Sequence, residues 1–409
     1  MNFKNYIFYI IFLSASCNFC FAQLNYANTI INTLSSPSYH GRGYVSNGDK
    51  LAAKFIQKEY KKLGLKKFNK SYSQKFSFSV NTQPGELTLS LNNQKLIPGK
   101  DFLIDPGSPS IKGSFKTVKT NCNELLETEK FLKKLKNTAH KFLLIDCYNL
   151  EKLDRKQQNK IKEIINFLRY SKDHPSVGII VFNTNKLTWH GSTKQNPKPS
   201  FTVSKKTNLK NINTINVNCK SKFYKKHTSR NCIGHIKGTT KSDSIIALTA
   251  HYDHLGRMGK KTYFPGANDN ASGIALLLSI AKYFTENPPK YTLVFMAFGA
   301  EEIGLLGSKY FTENPLFPLK NIKFLWNFDL AGTGSEGIKI VNGSEYPKEI
   351  NQLISINNKL NLLPSIQKRG KACNSDHCYF DTLGIKTFYS YTLGGIKAYH
   401  DIYDRPETL

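Results

Sequence analysis

Arginine is scarce in this sequence, and acidic residues are few. Only seven of the 58 basic residues are arginines, and 29 Asp and Glu residues leave a formal net charge of +29. Nucleic-acid tracks cluster basic side chains with aromatic ones, whereas the lysines here are spread along the chain. We therefore expect a solvated, lysine-rich surface with weak attraction to anionic polymers, and no specific nucleic-acid partner.

Long apolar runs are absent after residue 22, since no later segment reaches the roughly 20 apolar residues that a membrane helix requires. Residues 1–22, "MNFKNYIFYIIFLSASCNFCFA", contain one lysine, an apolar run and a small residue before Gln23. This pattern predicts a secretory signal peptide. A lipoprotein signal anchored at Cys17 is the alternative, although the leucine of "LSAS" lies one position too far upstream. We expect an exported protein, periplasmic or extracellular, with no spanning segment.

The cysteine spacing of a structural zinc site is also missing. The cysteines after residue 22 lack any CxxC pair, and they are Cys122, Cys147, Cys219, Cys232, Cys373 and Cys378. In an exported chain their even number permits disulfides, although sequence alone does not define the connectivity. Cys373 and Cys378 are close enough to form a local loop, and we predict that they pair.

The chain is longer than one ordinary domain, and its 40% apolar and 12% aromatic content excludes disorder. Residues 23–85 follow the pattern helix, loop, helix and strand. Residues 86–210 change to short β segments around one lysine-rich helix near 150–173, without a cluster of metal-binding side chains. We interpret residues 86–210 as a smaller, β-rich accessory domain, inserted into a larger domain that residues 211–409 complete.

Strand and helix patterns alternate through residues 211–409. In chain order they read "SIIALTA", "ASGIALLLSIAKYF", "YTLVFMAF", "GLLGSKYF", "IKFLWNF", "PKEINQLISINNKL" and "IKTFYSY". Strands separated by helices of this length indicate crossover connections. The sequence therefore predicts an α/β fold with a mostly parallel sheet that helices cover on both faces.

Polar side chains follow the ends of three of these strands and occupy two loops. They are His251, Asp253, Asp269, Glu301, Glu302, Asp329 and His400. Acidic residues at a helix start often only complement the helix dipole, but open α/β sheets collect ligands at the carboxyl ends of their strands. Two histidines with even three of these carboxylates at one such edge would be costly without a cation.

The mixture of imidazole and carboxylate ligands favours zinc, with cobalt or manganese as substitutes. Five ligands are one too many for a single catalytic zinc that keeps an open position. They suit two ions about 3.5 Å apart that share one carboxylate. The sequence therefore predicts a centre with two Zn²⁺ ions.

Five motifs in fixed order carry a resemblance to a known family. They are "TAHYDHLG", "PGANDNASGIALLL", "FGAEEIGLLGSKYF", "NFDLAG" and "YHDIYDRPETL". In these motifs the chain resembles the di-zinc exopeptidases, the family of bacterial leucyl aminopeptidases, aminopeptidase Y and glutamate carboxypeptidase II. The segment "GRGYVSNGDKLAAKFIQKEYKKLGL" is similar to the one that precedes the catalytic core in many members. Residues 86–210 resemble, more weakly, the protease-associated domain that members often carry.

The resemblance implies a set of metal ligands. His251 and Asp329 would bind one zinc, Glu302 and His400 the other, and Asp269 would bridge the two. A water between the ions would be the nucleophile.

The resemblance also implies three catalytic roles. Glu301 would be the general base, Asp253 would orient His251 as carboxylates behind metal-bound imidazoles do, and Tyr399 would polarise the substrate carbonyl. His254 and His377 are expected to be structural or to line the pocket. The expected activity is that of a zinc aminopeptidase acting on peptides with a free N-terminus.

Two alternatives remain at this point. A carboxypeptidase on the same scaffold would hold a terminal carboxylate, for which arginine is suited, and only Arg257, Arg369 and Arg405 are near the motifs. An inactive binding protein, as the transferrin receptor is within this family, would have lost ligands that are present here. Family members usually continue past "RPETL" into a long helix, whereas this sequence stops at Leu409, so we expect either a truncated reading frame or a less covered sheet face.

Overall fold

The structure is a computed structural model that describes residues 23–183, 186–204 and 211–409. The predicted signal peptide and Cys17 lie outside the described residues. Within those ranges, no helix has the length and apolar character needed to cross a membrane.

The strands in chain order are β1 (Ser73–Thr82), β2 (Leu87–Leu91), β3 (Gln94–Leu96), β4 (Phe102–Ile104), β5 (Ile111–Asn121), β6 (Phe142–Asp146), β7 (Gly178–Asn183), β8 (Ser200–Ser204), β9 (Thr214–Cys219), β10 (Lys222–Ile236), β11 (Lys241–His251), β12 (Arg257–Met258), β13 (Thr262–Tyr263), β14 (Tyr291–Phe298), β15 (Ile322–Phe328), β16 (Gly337–Val341), β17 (Ile366–Lys368) and β18 (Thr387–Leu393). The helices are α1 (residues 23–34), α2 (Gly48–Lys62), α3 (Cys122–Leu126), α4 (Thr128–Lys136), α5 (Arg155–Tyr170), α6 (Gly273–Glu286), α7 (Leu306–Glu313), α8 (Pro347–Leu360) and α9 (Cys378–Thr382).

The main sheet has the strand order β1-β10-β14-β11-β15-β18-β16-β17. Its centre is parallel, because β11 pairs in parallel with both β14 and β15, and β15 with β18. Towards the edges, β1 with β10, β10 with β14 and β16 with β18 are antiparallel. The predicted α/β class is therefore confirmed, with antiparallel strands added around a parallel centre.

Helices cover both faces of this sheet, as the buried run "YTLVFMAF" of β14 requires. Successive strand residues point to opposite faces. Phe295 accordingly packs in the apolar cluster with residues of α1, α2 and α6. Its neighbour Met296 packs in another cluster, with Phe311 of α7 and Phe380 of α9.

The inserted part forms a second sheet with the order β3-β2-β9-β5-β6-β7-β8-β4. The chain leaves the main sheet after β1 and returns to it in β10, which pairs with β1. β9 lies beyond residue 210, where the sequence pattern ended the insert, yet it pairs with β2 and β5. We therefore propose that the insert begins near residue 86 and ends after Cys219.

The insert and the main domain share an apolar cluster. Trp189 of the insert stacks on Phe264 with ring centroids 4.9 Å apart and an interplanar angle of 17°. Leu255 and Met258 join the same cluster as Phe102 and other insert residues. Because these contacts are buried, the insert is held against the main domain by packing as well as by the two chain connections.

The described part of the chain contains two disulfides. Cys373 pairs with Cys378, as the sequence predicts, with Cα atoms 4.7 Å apart. Cys122 pairs with Cys147, with Cα atoms 5.3 Å apart, and links α3 to the segment after β6. Cys219 and Cys232 are buried free thiols.

Peptide mapping without reduction should recover both cross-linked pairs, because their Cα separations lie in the range that disulfides need. Replacing Cys122 and Cys147 together by serine should lower the free energy of unfolding by about 3 kcal/mol, and replacing Cys373 and Cys378 by about 2 kcal/mol, since the loops differ in length. Urea denaturation measures both effects. A map in which Cys219 or Cys232 is cross-linked would contradict this assignment.

Candidate metal centre

The main domain brings the predicted ligands together where its parallel strands end. His251 is the last residue of β11, and Asp329 directly follows β15. Glu302 lies in the turn after β14, Asp269 in the turn of helix that precedes α6, and His400 in the C-terminal segment. All five side chains are nearly buried, with exposures of 9% or less.

The two oxygens of Asp269 face different histidines. Oδ1 lies 3.4 Å from Nε2 of His251, which is also 3.3 Å from Oδ1 of Asp329. Oδ2 lies 3.1 Å from Nε2 of His400, which is also 3.1 Å from Oε2 of Glu302. The five side chains thus form two groups of imidazole and carboxylate donors that share one carboxylate.

These donors fit zinc ions. Nitrogen and carboxylate oxygen are the ligands of catalytic zinc, and a shared carboxylate is the arrangement of two-metal sites. An oxygen of Glu301 also lies within 4.8 Å of donor atoms of His251 and Asp329. Several carboxylates buried at such distances repel one another unless cations are present.

Asp253 does not bond the imidazole that it was expected to orient. Its Oδ1 is 4.0 Å from Nδ1 of His251, whereas the backbone oxygen of Asp253 is 3.2 Å from that nitrogen. The carboxylate instead accepts the backbone N–H groups of Glu301 and Glu302, at 3.0 and 3.4 Å, and the hydroxyl of Tyr44 at 3.0 Å. Asp253 therefore stabilises the turn that carries Glu301 and Glu302, because its carboxylate accepts the backbone N–H groups of both residues.

The environment makes two of these carboxyl groups hard to ionise. Burial raises the pKa of Asp253 to about 7, and the charge of Glu302 adds to the shift. Burial also raises the pKa of Glu301 well above its usual range, and the carboxylates of Asp376 and Glu302 act in the same direction. Bound cations would oppose both shifts. Without cations, the environment of Glu301 therefore favours its protonated form.

Arg42 is a site residue that the sequence interpretation missed. Its guanidinium is fully buried and donates to backbone oxygens only, which are those of Leu34, Tyr252, Pro265, Gly266 and Asp269. The Asp404 carboxylate supports the same loop by accepting the N–H groups of Asn268 and Asp269 at 2.7 and 2.9 Å. The signal was the "GRG" motif, but a lone arginine does not reveal which carbonyls it will meet.

Two histidines without a predicted catalytic role differ in what they contact. Nδ1 of His254 is 2.6 Å from Oε1 of Glu302, whose other oxygen faces His400. His254 therefore holds one of the predicted ligands. His377 bonds the backbone oxygen of Ala372 at 2.7 Å and stacks on Tyr389, which is a structural role.

A cavity of about 200 Å³ opens onto the centre. Glu301 and four of the five predicted ligands line it, Glu302 being the exception. The other residues of its walls are Leu330, Arg369, Asn374, Tyr389, Tyr391 and Tyr399. Of the three arginines near the motifs, Arg369 lines this cavity. Arg257 instead bonds His40 and the backbone of Lys260, and Arg405 bonds the backbone of Ile402.

Tyr399 lies at the edge of this cavity. Its ring stacks on His400 with centroids 4.0 Å apart and an interplanar angle of 14°, and 45% of the residue is exposed. Burial and the carboxylates of Asp269 and Glu302 raise its pKa far above the usual value. The phenol therefore stays protonated and can donate a hydrogen bond into the cavity.

Part of the chain is similar in sequence to known peptidases. Residues 231–409 match the model of peptidase family M28. Aminopeptidase YwaD of Bacillus subtilis is 38% identical over 119 residues, which are 29% of this chain and 25% of that protein. A probable zinc metalloprotease of Pyricularia oryzae is 35% identical over 113 residues, 27% of this chain and 22% of that protein. The sequence matches thus span about a quarter of these relatives.

The fold is shared over most of the chain. The zinc aminopeptidase BSAP from Bacillus subtilis superimposes with a TM-score of 0.65 and 21% identity, covering 94% of this chain and 90% of that one. A peptidase M28 precursor from Shewanella amazonensis gives a TM-score of 0.67 at 18% identity, covering 93% and 88%. The molecule therefore has the fold of the zinc aminopeptidase type, insert included.

Replacing Arg42 by lysine should destabilise the protein. A lysine ammonium cannot reproduce the planar fork of donors, and each buried carbonyl left unpaired costs roughly 1 to 3 kcal/mol. We expect the free energy of unfolding to fall by on the order of 3 kcal/mol in urea denaturation. Arg155→Lys, at an exposed position, is the matched control and should stay within about 0.5 kcal/mol of the parent. Equal losses in the two variants would refute the role of Arg42.

Proposed function

We propose that the protein is an exported zinc-dependent aminopeptidase that removes N-terminal residues from peptides. The observation that carries this proposal is the shared carboxylate of Asp269, 3.4 Å from His251 and 3.1 Å from His400. An oxygen of Glu301 lies within 4.8 Å of donor atoms of His251 and Asp329. The names of the relatives support the peptidase chemistry, and the pattern of residues 1–22 supports export.

The five donors would hold two zinc ions. His251 and Asp329 would ligate one ion, Glu302 and His400 the other, and Asp269 both. When bound, such ions lower the pKa of a water between them and polarise the substrate carbonyl.

Glu301 is the base in this proposal. The turn that Asp253 holds directs Glu302 towards His254 and His400, while an oxygen of Glu301 lies near His251 and Asp329. The two adjacent glutamates thereby have different roles, Glu302 as a ligand and Glu301 as the base. Glu301 takes the proton of the attacking water and returns it to the leaving amine.

Tyr399 is the donor for the developing oxyanion. Its protonated hydroxyl borders the cavity beside His400, so it would donate to the substrate oxygen as negative charge builds there. The free α-ammonium of the substrate would be held by charge-assisted hydrogen bonds to Glu301 and Asp329. The acidic floor of the cavity therefore favours the N-terminus of a peptide.

A carboxypeptidase is the second candidate, because one observation favours it. The guanidinium of Arg369 lines the same cavity, where it donates to the Tyr391 hydroxyl at 3.4 Å. A single arginine in the wall is suited to a substrate carboxylate. In a carboxypeptidase, that carboxylate would be the C-terminus of the substrate. In an aminopeptidase, it would be an acidic side chain or the C-terminus of a dipeptide.

Glu301→Gln and Glu302→Gln should fail in different ways. The first should keep the bound zinc and lower kcat by a factor on the order of 10² to 10⁴, the range for general acid–base catalysis. The second should weaken one metal site, because it removes a ligand charge. Metal analysis after dialysis and steady-state kinetics separate the two effects.

Glu313→Gln, at an exposed position on α7, is the control and should change neither property. If Glu301→Gln emptied the site while Glu302→Gln left it loaded, the roles of the two glutamates would be reversed.

Three compounds can test which terminus of a peptide substrate the protein recognises. A chromogenic amide of leucine should be cleaved, with loss of activity on chelation and recovery with added zinc. The same amide with its amine acetylated should be cleaved far more slowly, because it lacks the charge that the carboxylates bind. A peptide blocked only at its N-terminus completes the set.

Cleavage of the blocked peptide from its C-terminal end, with the free-amine amide untouched, would replace the aminopeptidase by a carboxypeptidase. In that case Arg369→Leu should raise KM strongly. A folded preparation that retains no zinc after reconstitution would instead favour an inactive binding protein and contradict both enzyme proposals.

A further inference from the structure

The inserted part of the chain places a histidine against the predicted ligand His400. His190 lies in the segment 186–196, between β7 and β8, and outside the residues that match the M28 family model. Its Nδ1 is 3.2 Å from Nδ1 of His400. The two rings meet edge to face, with centroids 4.9 Å apart and an interplanar angle of 69°.

The backbone around His190 is held against the segment that carries His400. The N–H of Trp189 donates to the backbone oxygen of His400 at 2.9 Å, and the Trp189 ring is buried against Phe264. The ammonium of Lys186 pairs with the carboxylate of Asp401 at 2.8 Å. Two anchors in the residues just before His190 therefore support the contact between the two histidines.

The same segment packs against the turn of the glutamates. A Cβ atom at Gly191 would lie 2.1 Å from Cγ2 of Ile303, so only glycine lets the backbone approach this closely. The insert therefore meets two of the elements that build the site, the turn after β14 and the His400 segment.

The positions of the ring protons on His400 and His190 follow from which nitrogen of His400 faces the carboxylates of the centre. Nε2 of His400 points at Asp269 and Glu302, 3.1 Å from each, so Nε2 is the nitrogen available to an ion. A neutral imidazole that binds through Nε2 carries its proton on Nδ1. The Nδ1–H of His400 must then donate to His190, whose Nδ1 can only accept and whose own proton lies on Nε2.

We propose that His190 is a positioning residue of the metal centre, which accepts the Nδ1–H of His400 and so fixes the tautomer and the ring orientation of that ligand. Partners of metal-bound imidazoles are usually carboxylates or backbone carbonyls; here the acceptor is a neutral imidazole that the insert supplies. The role rests on the proposed function only in that the centre binds zinc.

The test uses three variants and measures zinc binding without substrate. His190→Leu removes the acceptor, His190→Asn retains an oxygen near the position of Nδ1, and Lys194→Leu alters an exposed residue of the same segment. Zinc affinity is measured on the metal-free proteins by competition with a chromophoric chelator. Outer partners of this kind typically affect metal affinity 10- to 100-fold.

We expect His190→Leu to weaken one of the bound zinc ions by roughly that factor, while His190→Asn and Lys194→Leu stay within about threefold of the parent. Loss in His190→Asn equal to that in His190→Leu would overturn the acceptor role, and so would unchanged affinity in His190→Leu. If the parent itself binds no zinc, the proposed function fails, which distinguishes the two failures.

A second measurement does not depend on how well a variant folds. In the zinc-loaded parent, ¹⁵N-edited NMR of histidine-labelled protein should show a protected Nδ1–H of His400 coupled by a hydrogen bond to Nδ1 of His190. Detection of the proton on Nδ1 of His190 would overturn the inference.

Discussion

The placement of one carboxylate between two histidines is the constraint on which the rest of the site depends. The two oxygens of Asp269 face His251 and His400, which come from distant parts of the chain. Backbone hydrogen bonds hold the Asp269 loop in this position. Arg42 donates to the backbone oxygens of Gly266 and Asp269, and Asp404 accepts the N–H groups of Asn268 and Asp269. The supporting contacts therefore act on the loop and leave both carboxylate oxygens free for ions.

Burial makes this cluster of carboxylates energetically unfavourable, and it also shifts their pKa values. Removing several carboxylates from water is unfavourable without cations, and the same burial raises the pKa of Glu301 well above its ordinary value. A base near the site needs an affinity for protons, and a metal site needs uncompensated negative charge. In the proposed mechanism one cluster of buried carboxylates supplies both. Asp253 fixes the turn that carries the neighbouring glutamates by accepting their N–H groups.

The insert is joined to this centre by packing. The stacking of Trp189 on Phe264 fixes the segment 186–196 against the main domain, and the N–H of Trp189 reaches the backbone of His400. A domain that is attached through two connections and a shared apolar cluster has little freedom to move independently. The proposed metal centre can therefore be contacted by His190, which comes from a part of the chain whose sequence contains no cluster of likely ligands.

Much of the fold and of the predicted ligand set was determined by the sequence itself. Apolar runs such as "YTLVFMAF" alternate with helices, so parallel strands end at one edge and the residues after them, among them His251 and Asp329, must meet there. The local turn at Cys373 and Cys378 follows equally from proximity along the chain. Only the tertiary structure decided the contacts between segments far apart in sequence. Arg42 binds backbone oxygens of the Asp269 loop, and His190 contacts His400. The carboxylate of Asp253 accepts the backbone N–H groups of a turn and does not bind an imidazole. A sequence pattern records which side chains are buried, but the partner of a buried polar group is whichever donor or acceptor docking brings within hydrogen-bond distance.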